Sequence, residues 1–383
     1  MSTSQTRTSL VAYRSAGSRR WVIKVGSSLV TNNGLGLDRK VIADWAAQIA
    51  ELRAAGIDVV LVSSGAVAEG MARTGRRKRP DNLQALQATA AIGQMGLIQA
   101  YETAFAEHQL HSAQILLTHE DVRDRARYLN AQGAIRTLLD WGVVPIVNEN
   151  DSVATEEIRL GDNDTLAALV CNLVEAQRLI ILTDQQGLYT ADPRTEPKAE
   201  LITEASLDDA RLDAMAGEGR GDLGRGGMRT KLKAAHWAAR SGAETVIVGG
   251  GQRGLLSRLA AGEQHGTLLR PAQAAMPAKK RWLAGQYRVA GKLVLDAGAV
   301  KVIRAKGSSL LPVGVTDLSG NFKRGDLVAC VDAAGIEIAR GLSQYDAADA
   351  RLILGTSSQQ LQERLGWPGV AELIHRDNLV VTG

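Results

Sequence analysis

From Trp21 to about Gly250 the chain alternates short β-branched runs with longer Ala- and Leu-rich amphipathic stretches, and this alternation leaves few folds open. Strands are expected at Trp21 to Val25, Asp58 to Val62, Ala113 to Thr118, Val143 to Val147, Leu179 to Thr183 and Thr245 to Val248. Between them, helices are expected at Asp38 to Ala55, Leu83 to His108, Arg125 to Trp141, Leu166 to Ala176 and Arg229 to Ser241. A strand that is apolar at nearly every position must be covered on both faces. Alternating β and α elements supply that cover as helical crossovers, so the pattern calls for a parallel sheet between two helical layers. Such sheets take their ligands beyond the carboxyl ends of the strands.

After about Ala284 the rhythm changes to short expected strands at Lys292 to Leu295, Val300 to Arg304, Val313 to Leu318, Leu327 to Val331 and Ile336 to Ala339, punctuated by glycines. That reads as a small all-β barrel or sandwich, and 383 residues accommodate two such domains. No run of about 18 apolar residues exists to span a membrane. Two distant cysteines provide no disulfide framework, six histidines fall in no zinc-ligand spacing, and a reducing, cytoplasmic compartment fits best. The net charge of +4 permits anionic ligands without announcing a nucleic-acid binder. Residues 1–20, rich in Ser, Thr and Arg and free of acids, are read as a disordered leader.

The expected strand ends carry unusual residues. Asn148-Glu149-Asn150-Asp151 follows one of them, and Gly161-Asp162-Asn163-Asp164-Thr165 comes soon after. Carboxylates and amides gathered there hold a metal ion or a small polar zwitterion by its amine, or else are hydrophilic turns. Lys24 lies inside an apolar strand and leads into Gly26-Ser27-Ser28. It reads either as a phosphate ligand, beside the backbone N–H groups of Gly26 and Ser27, or as a lysine reaching solvent. Ser63-Ser64-Gly65-Ala66 sets hydroxyls beside a glycine turn, suited to a carboxylate or phosphate, without the spacing of a hydrolase nucleophile elbow. Thr183-Asp184 opens an excursion long enough to cover a nucleotide base. Six glycines between Gly217 and Gly227 feed Met228-Arg229-Thr230-Lys231. They match neither a P-loop nor a dinucleotide fingerprint, yet a glycine segment entering a helix offers N–H dipoles and a cation to polyphosphate; the alternative is a surface linker. The basic run Arg76-Arg77-Lys78-Arg79 has no aromatic platform beside it and reads as a solvated loop.

Lys24-x-Gly26-Ser27, Ser64-Gly65-Ala66, Asn148-Glu149-Asn150-Asp151, Gly161-Asp162-Asn163-Asp164, Thr183-Asp184 and Gly226-Gly227-Met228 occur together and in this order. With them, the chain from Trp21 onward closely resembles the glutamate 5-kinase family of proline biosynthesis, built on the amino-acid kinase fold. Gly307-Ser308-Ser309-Leu310-Leu311-Pro312, Gly320-Asn321-Phe322 and Ala339-Arg340-Gly341 are similar to a PUA domain. The fold implied is α/β: an amino-acid kinase-like three-layer αβα sandwich with a mostly parallel sheet over 21–271, a linker at 272–284, and a small C-terminal all-β PUA-like barrel over 285–383.

The activity implied by the resemblance is ATP-dependent phosphorylation of the L-glutamate side-chain carboxylate to L-glutamyl 5-phosphate, with Mg2+ arriving on ATP. Lys24, Lys231 and Asp164 would be catalytic, the lysines flanking the phosphates and Asp164 holding the lysines. Glutamate would be bound by Ser64, Asp151 and Asn163, with Asn148 and Asp162 nearby. ATP would meet Lys24, Gly26, Thr183 and Asp184, and the segment Arg225, Gly226, Gly227, Met228, Arg229, Thr230 and Lys231. Arg225 and Arg229 depart from the family, where small or hydroxyl residues are commoner. The resemblance further implies feedback inhibition by proline, a homo-oligomer and glutamyl-phosphate reductase as a downstream partner. Two rivals stand beside it. One is a kinase of the same fold acting on acetylglutamate, aspartate, carbamate or UMP, against which the Asn148 to Asp151 loop and the tail argue. The other is an RNA-binding protein using Lys301, Arg304, Lys306, Lys323 and Arg324 of the tail, against which the shortage of aromatics argues.

Overall fold

The computed structural model describes residues 19–32, 34, 36–153, 163–215, 227–272, 283, 289–357, 360–367 and 369–382. The chain divides into two compact units, Met1–Ala275 and Met276–Gly383.

The first unit is built on an eight-stranded sheet. Its strands are β1 (Arg19–Val25), β2 (Ile57–Ser63), β3 (Ser112–Leu117), β4 (Val144–Glu149), β5 (Arg178–Thr183), β6 (Glu204–Ser206), β7 (Glu244–Gly249) and β8 (Thr267–Arg270). They run in the order β3-β4-β2-β1-β5-β7-β8-β6, and every pairing is parallel except β7 with β8. All seven residues of β2 are buried, as a strand covered on both faces requires. The helices are α1 (Ser27–Val30), α2 (Arg39–Ala54), α3 (Ala66–Arg73), α4 (Leu83–Ala106), α5 (His119–Arg123), α6 (Arg125–Asp140), α7 (Asn163–Val174), α8 (Arg211–Met215), α9 (Met228–Ala239) and α10 (Leu255–Ala260). α2, α3, α4 and α10 form one layer; Trp21, Ile23 and Val25 of β1 pack with Trp45, Ile49 and Leu97 of that layer. α6, α7 and α9 form the other. The three-layer αβα architecture is therefore the one the alternation predicts.

Three local departures have physical reasons. β1 starts at Arg19, two residues before the expected strand and inside the expected leader, because Arg19 and Arg20 pair in register with Ile57 and Asp58. The rest of the leader, 1–18, lies outside the described residues. α7 starts at Asn163 rather than Leu166, and all twelve of its residues are buried. Polar residues that read as loop are its first turn, where an acid is favoured by the helix dipole. α3 is not among the expected helices, whereas α4 matches the helix expected at Leu83 to His108; the two approach at glycines. A Cβ on Gly70 would stand 1.8 Å from the Thr89 carbonyl oxygen, and one on Gly93 would stand 1.8 Å from that of Ala66.

The second unit holds a five-stranded sheet of β9 (Gly291–Leu295), β10 (Val315–Gly320), β11 (Leu327–Val331), β12 (Glu337–Leu342) and β13 (Leu379–Val381), in the order β10-β9-β11-β12-β13. Only β9 and β11 pair in parallel. Val300 to Arg304, expected as a strand, belongs instead to helix α11 (Ala297–Lys306). Its β-branched residues favour a strand, but its ends overrule them. Asp296 caps the helix by accepting from the Ala299 N–H at 2.7 Å, and Gly307 closes it at φ +55°. Ile303 of α11 joins Leu293, Phe322, Val328 and Ile338 in the core of this unit. Among the described residues no helix is long and apolar enough to cross a membrane. Cys171 and Cys330 are free and buried.

Candidate functional site

β1 is the switch point of the large sheet: β2, the next strand in sequence, lies on one side of it and β5 on the other. The carboxyl ends of the four neighbours β4, β2, β1 and β5 bring Asn148 and Glu149, Ser63, Lys24 and Thr183 to one edge. The first turns of α7 and α9 add Asn163, Asp164, Thr230 and Lys231.

The centre of this edge is an ionic bridge. Lys24 Nζ lies 2.6 Å from Asp164 Oδ1, and Lys231 Nζ lies 3.2 Å from Asp164 Oδ2. Thr230 Oγ1 is 2.9 Å from the same Oδ2 and 2.8 Å from the Gly227 carbonyl oxygen, which ties the start of α9 to the bridge. All three charged side chains are buried. Burial alone would raise the Asp164 carboxyl; the charges of Lys24 and Lys231, with hydrogen bonds from Lys24 and Thr230, overcome it and hold the group at about 2. Two ammoniums to one carboxylate leave one net positive charge at the strand ends, the arrangement a phosphoryl group needs. Gly26 lies beside Lys24, an ideal Cβ there standing in ordinary contact at 3.7 Å from Lys24 Nζ.

Beside the bridge runs a chain of amides and hydroxyls. Asn163 Nδ2 donates toward Ser64 Oγ at 2.8 Å, Asn148 Oδ1 at 3.0 Å and the Ser63 carbonyl at 3.2 Å. Asn148 Nδ2 in turn donates to Gln94 Oε1 of α4 at 2.8 Å. Ser63 Oγ lies 2.9 Å from the Tyr101 hydroxyl, whose ionisation burial pushes up. Gly65 caps α3 at φ +112°, and a Cβ on it would come 2.8 Å from Val30, so this turn needs glycine.

Asp151 follows β4 in a turn. Burial first, and the nearby charge of Glu149 second, push its carboxyl up to about 7, against a smaller opposing effect of Arg79. Glu149 is itself 3.5 Å from His119 Nδ1. An acidic group so raised is one whose ionised form its surroundings stabilise poorly, and a further cation beside it would favour ionisation.

The structure thus brings together Lys24, Gly26, Ser64, Asn148, Asn163, Asp164, Gly227, Thr230 and Lys231. Thr183 is buried at the end of β5, its hydroxyl donating to Asp184 Oδ1 at 3.0 Å, while Asp184 is exposed. Met228 is half-buried and Arg229 exposed at the start of α9. Asp162, Arg225 and Gly226 lie outside the described residues. Sequence reasoning missed Gln94, Tyr101, His119 and the inward side of Arg79. Arg76, Arg77 and Lys78 are exposed, but Arg79 is only half-exposed and acts on Asp151. No local signal marks Gln94 or Tyr101, which sit mid-helix and reach the site only because the two glycine contacts draw α4 close to α3. Among the described residues no cluster of three or more His, Cys, Asp or Glu side chains could hold a metal ion.

Comparison with known proteins bears on the same residues. The sequence model of the amino acid kinase family matches residues 19–250, and that of the PUA domain matches residues 291–365. The chain is 57% identical over 365 residues to a glutamate 5-kinase of Pseudomonas putida, covering 95% of this chain and 98% of that protein. It is 58% identical to the glutamate 5-kinase of Pseudomonas savastanoi, over 95% of this chain and 99% of that protein. It is 57% identical to that of Ralstonia pickettii, over 96% of this chain and 98% of that protein.

Proposed function

Since the chain belongs to the amino acid kinase family, and within it to the glutamate 5-kinases, we propose that it transfers the γ-phosphoryl group of ATP to the side-chain carboxylate of L-glutamate, giving L-glutamyl 5-phosphate and ADP. The observation that carries this reading is the buried Lys24–Asp164–Lys231 bridge at the sheet's switch point, set beside the hydrogen-bonded chain of Asn148, Asn163 and Ser64. The nucleophile is a carboxylate, ionised at neutral pH, so no general base is required. A carboxylate oxygen attacks phosphorus as the bond to the ADP oxygen breaks, and the ADP leaves with that electron pair. What remains for the protein is alignment and charge neutralisation. Lys24 and Lys231 neutralise the transferring group from two sides, and Asp164 fixes the distance between them. Ser64, Asn163 and Asp151 hold glutamate, with Asn148 behind Asn163 and Asp162 close by. Thr183, Asp184 and the 225–231 segment receive the nucleotide.

Magnesium fits as part of the ATP substrate, held by phosphate oxygens and water, because Asp164 is committed to the lysines. Residues 21–271 are assigned to catalysis, 272–284 to a linker and 285–383 to the PUA-like domain. On this reading the chain acts at the first step of proline biosynthesis, in the cytoplasm, with proline as a feedback inhibitor competing with glutamate. The family resemblance further leads to a homo-oligomer, and because acyl phosphates are labile the downstream partner is glutamyl-phosphate reductase. The test is Mg2+- and ATP-dependent ADP release with glutamate, aspartate, acetylglutamate, carbamate and UMP in parallel, with and without proline. Turnover on glutamate alone, suppressed by proline, is expected; turnover on another acceptor would overturn the substrate assignment.

A further inference from the structure

Gly65 stands at φ +112° and ψ −7°, in the left-handed region. Turning the single Ser64–Gly65 peptide over by half a turn would bring it to φ of about −70°, the ordinary region of a turn. Glycine is at ease on both sides, so the backbone does not choose between the two and a partner must. That partner is Ser63, whose Oγ donates to the Ser64 carbonyl oxygen at 3.0 Å. A serine has one hydroxyl proton, so in the 2.9 Å contact between Ser63 Oγ and the Tyr101 hydroxyl the tyrosine donates. The preceding peptide is held by other groups: Ser64 N–H donates to the Val25 carbonyl at 3.3 Å, and the Ser63 carbonyl accepts from Asn163 Nδ2 at 3.2 Å. Neither of these bonds touches the Ser64–Gly65 peptide. Ser63 and Tyr101 are fully buried, while Ser64 and Gly65 are half-buried at the strand-end edge. In a trans peptide the C=O and N–H point opposite ways. With the Ser64 carbonyl turned in to Ser63, the Gly65 N–H is turned out to that edge, where no acceptor among the described residues takes it. Beside it, Ser64 Oγ accepts from Asn163 Nδ2 at 2.8 Å, which leaves the Ser64 proton to donate elsewhere.

We propose that Ser63, backed by Tyr101, is a positioning residue that locks the Ser64–Gly65 peptide with its N–H outward, so that Gly65 N–H and Ser64 O–H together receive a carboxylate oxygen of the acceptor. This role rests on the function inferred above and deepens it. Two donors on adjacent residues at one edge suit an anionic oxygen, and they cost no reorganisation when they are held in place beforehand. Released from Ser63, the peptide turns over, and the acceptor's carboxylate meets the Ser64 carbonyl oxygen in place of the Gly65 N–H. A donor is lost and a repelling oxygen gained at the same point.

The experiment compares the unmodified full chain with Ser63→Ala, Tyr101→Phe and the double variant, measuring kcat, KM for glutamate, KM for ATP and the urea midpoint, with a crystal structure of the S63A chain. In S63A the glutamate KM should rise about tenfold, the worth of one donor to a charged oxygen. Its kcat and ATP KM should stay unchanged, because the contact is made equally in ground and transition states. Gly65 should then stand at φ of about −70°. Y101F alone leaves the Ser63 proton on the Ser64 carbonyl and should raise the glutamate KM less than S63A does. S63A also strands the buried Tyr101 hydroxyl, which lowers stability. Adding Y101F removes that hydroxyl, so the double variant should recover part of the lost midpoint while its glutamate KM stays high, and it carries the test if S63A alone does not fold. A role confined to stability would move KM and midpoint together. Three results overturn the proposal: an unchanged glutamate KM in the variants lacking the Ser63 hydroxyl, a glutamate KM that recovers with the midpoint in the double variant, or Gly65 kept at φ +112° in S63A. Failure of the unmodified chain to turn over glutamate refutes the proposed function itself and is told apart by that control.

Discussion

Asp164→Asn isolates the energetics of the site. The carboxyl is held at about 2 against an ordinary 3.8, which amounts to roughly 2 kcal/mol of stability at neutral pH. Its folded pKa is depressed, so this contribution is complete above about pH 4 and is lost as pH falls toward 2. Asparagine is nearly isosteric, so no cavity opens, but two buried ammoniums lose their shared counter-ion. Breaking a buried pair from one side costs about 3–5 kcal/mol. With a urea slope of about 2.5–3 kcal/mol per molar, the midpoint of the first unit should fall by about 1–2 M. Sulfate or ATP should restore more stability to D164N than to the unmodified chain, because an anion then occupies the place of the carboxylate between Lys24 and Lys231. The assay is urea unfolding at pH 7, with and without about 50 mM sulfate, since an anion that binds the folded chain raises its stability as its concentration exceeds its Kd. A midpoint within about 0.3 M of the unmodified chain, roughly 1 kcal/mol, would refute the bridge as a stabilising element.

Other consequences are as direct. Lys231→Ala should lower kcat about 10²–10³-fold while leaving the glutamate KM near its original value, and steady-state kinetics showing near-normal turnover removes Lys231 from the mechanism. Asp151, raised to about 7, must ionise to meet an ammonium, so kcat/KM for glutamate should climb about tenfold per pH unit below that value and level off above it. Asp151→Asn should flatten this profile at a lower level; an unchanged profile assigns the ionisation elsewhere. The same shift has the opposite sign for stability, since a raised carboxyl destabilises the fold as pH rises toward 7. Gly93→Ala would force a Cβ to 1.8 Å from the Ala66 carbonyl oxygen, and the separation of α3 and α4 should cost about 3 kcal/mol or more, read as a lowered urea midpoint.

The architecture of the large unit was legible because its signal is local and repeated. Apolar strands such as β2 alternate with capped amphipathic helices, and each segment carries its own period. Most of the site was legible for a related reason. Lys24, Ser64, Asn148, Asp151 and Asp164 are polar residues interrupting apolar strand ends or helix starts, where burial without a ligand or partner is costly. The boundaries at Asn163 and Ala297 were not, because a polar first turn resembles a loop and β-branched residues resemble a strand until a cap decides between them. Distance along the chain hid the rest. Seventy residues separate Lys24 from Gln94, and 67 separate Asp164 from Lys231. Composition predicts that a buried lysine has a counter-charge. Only the packing of β1 between β2 and β5, with α7 and α9 starting over the same edge, makes that counter-charge one shared carboxylate, and only the glycine contacts of α4 make an unremarked helix residue the end of the amide relay.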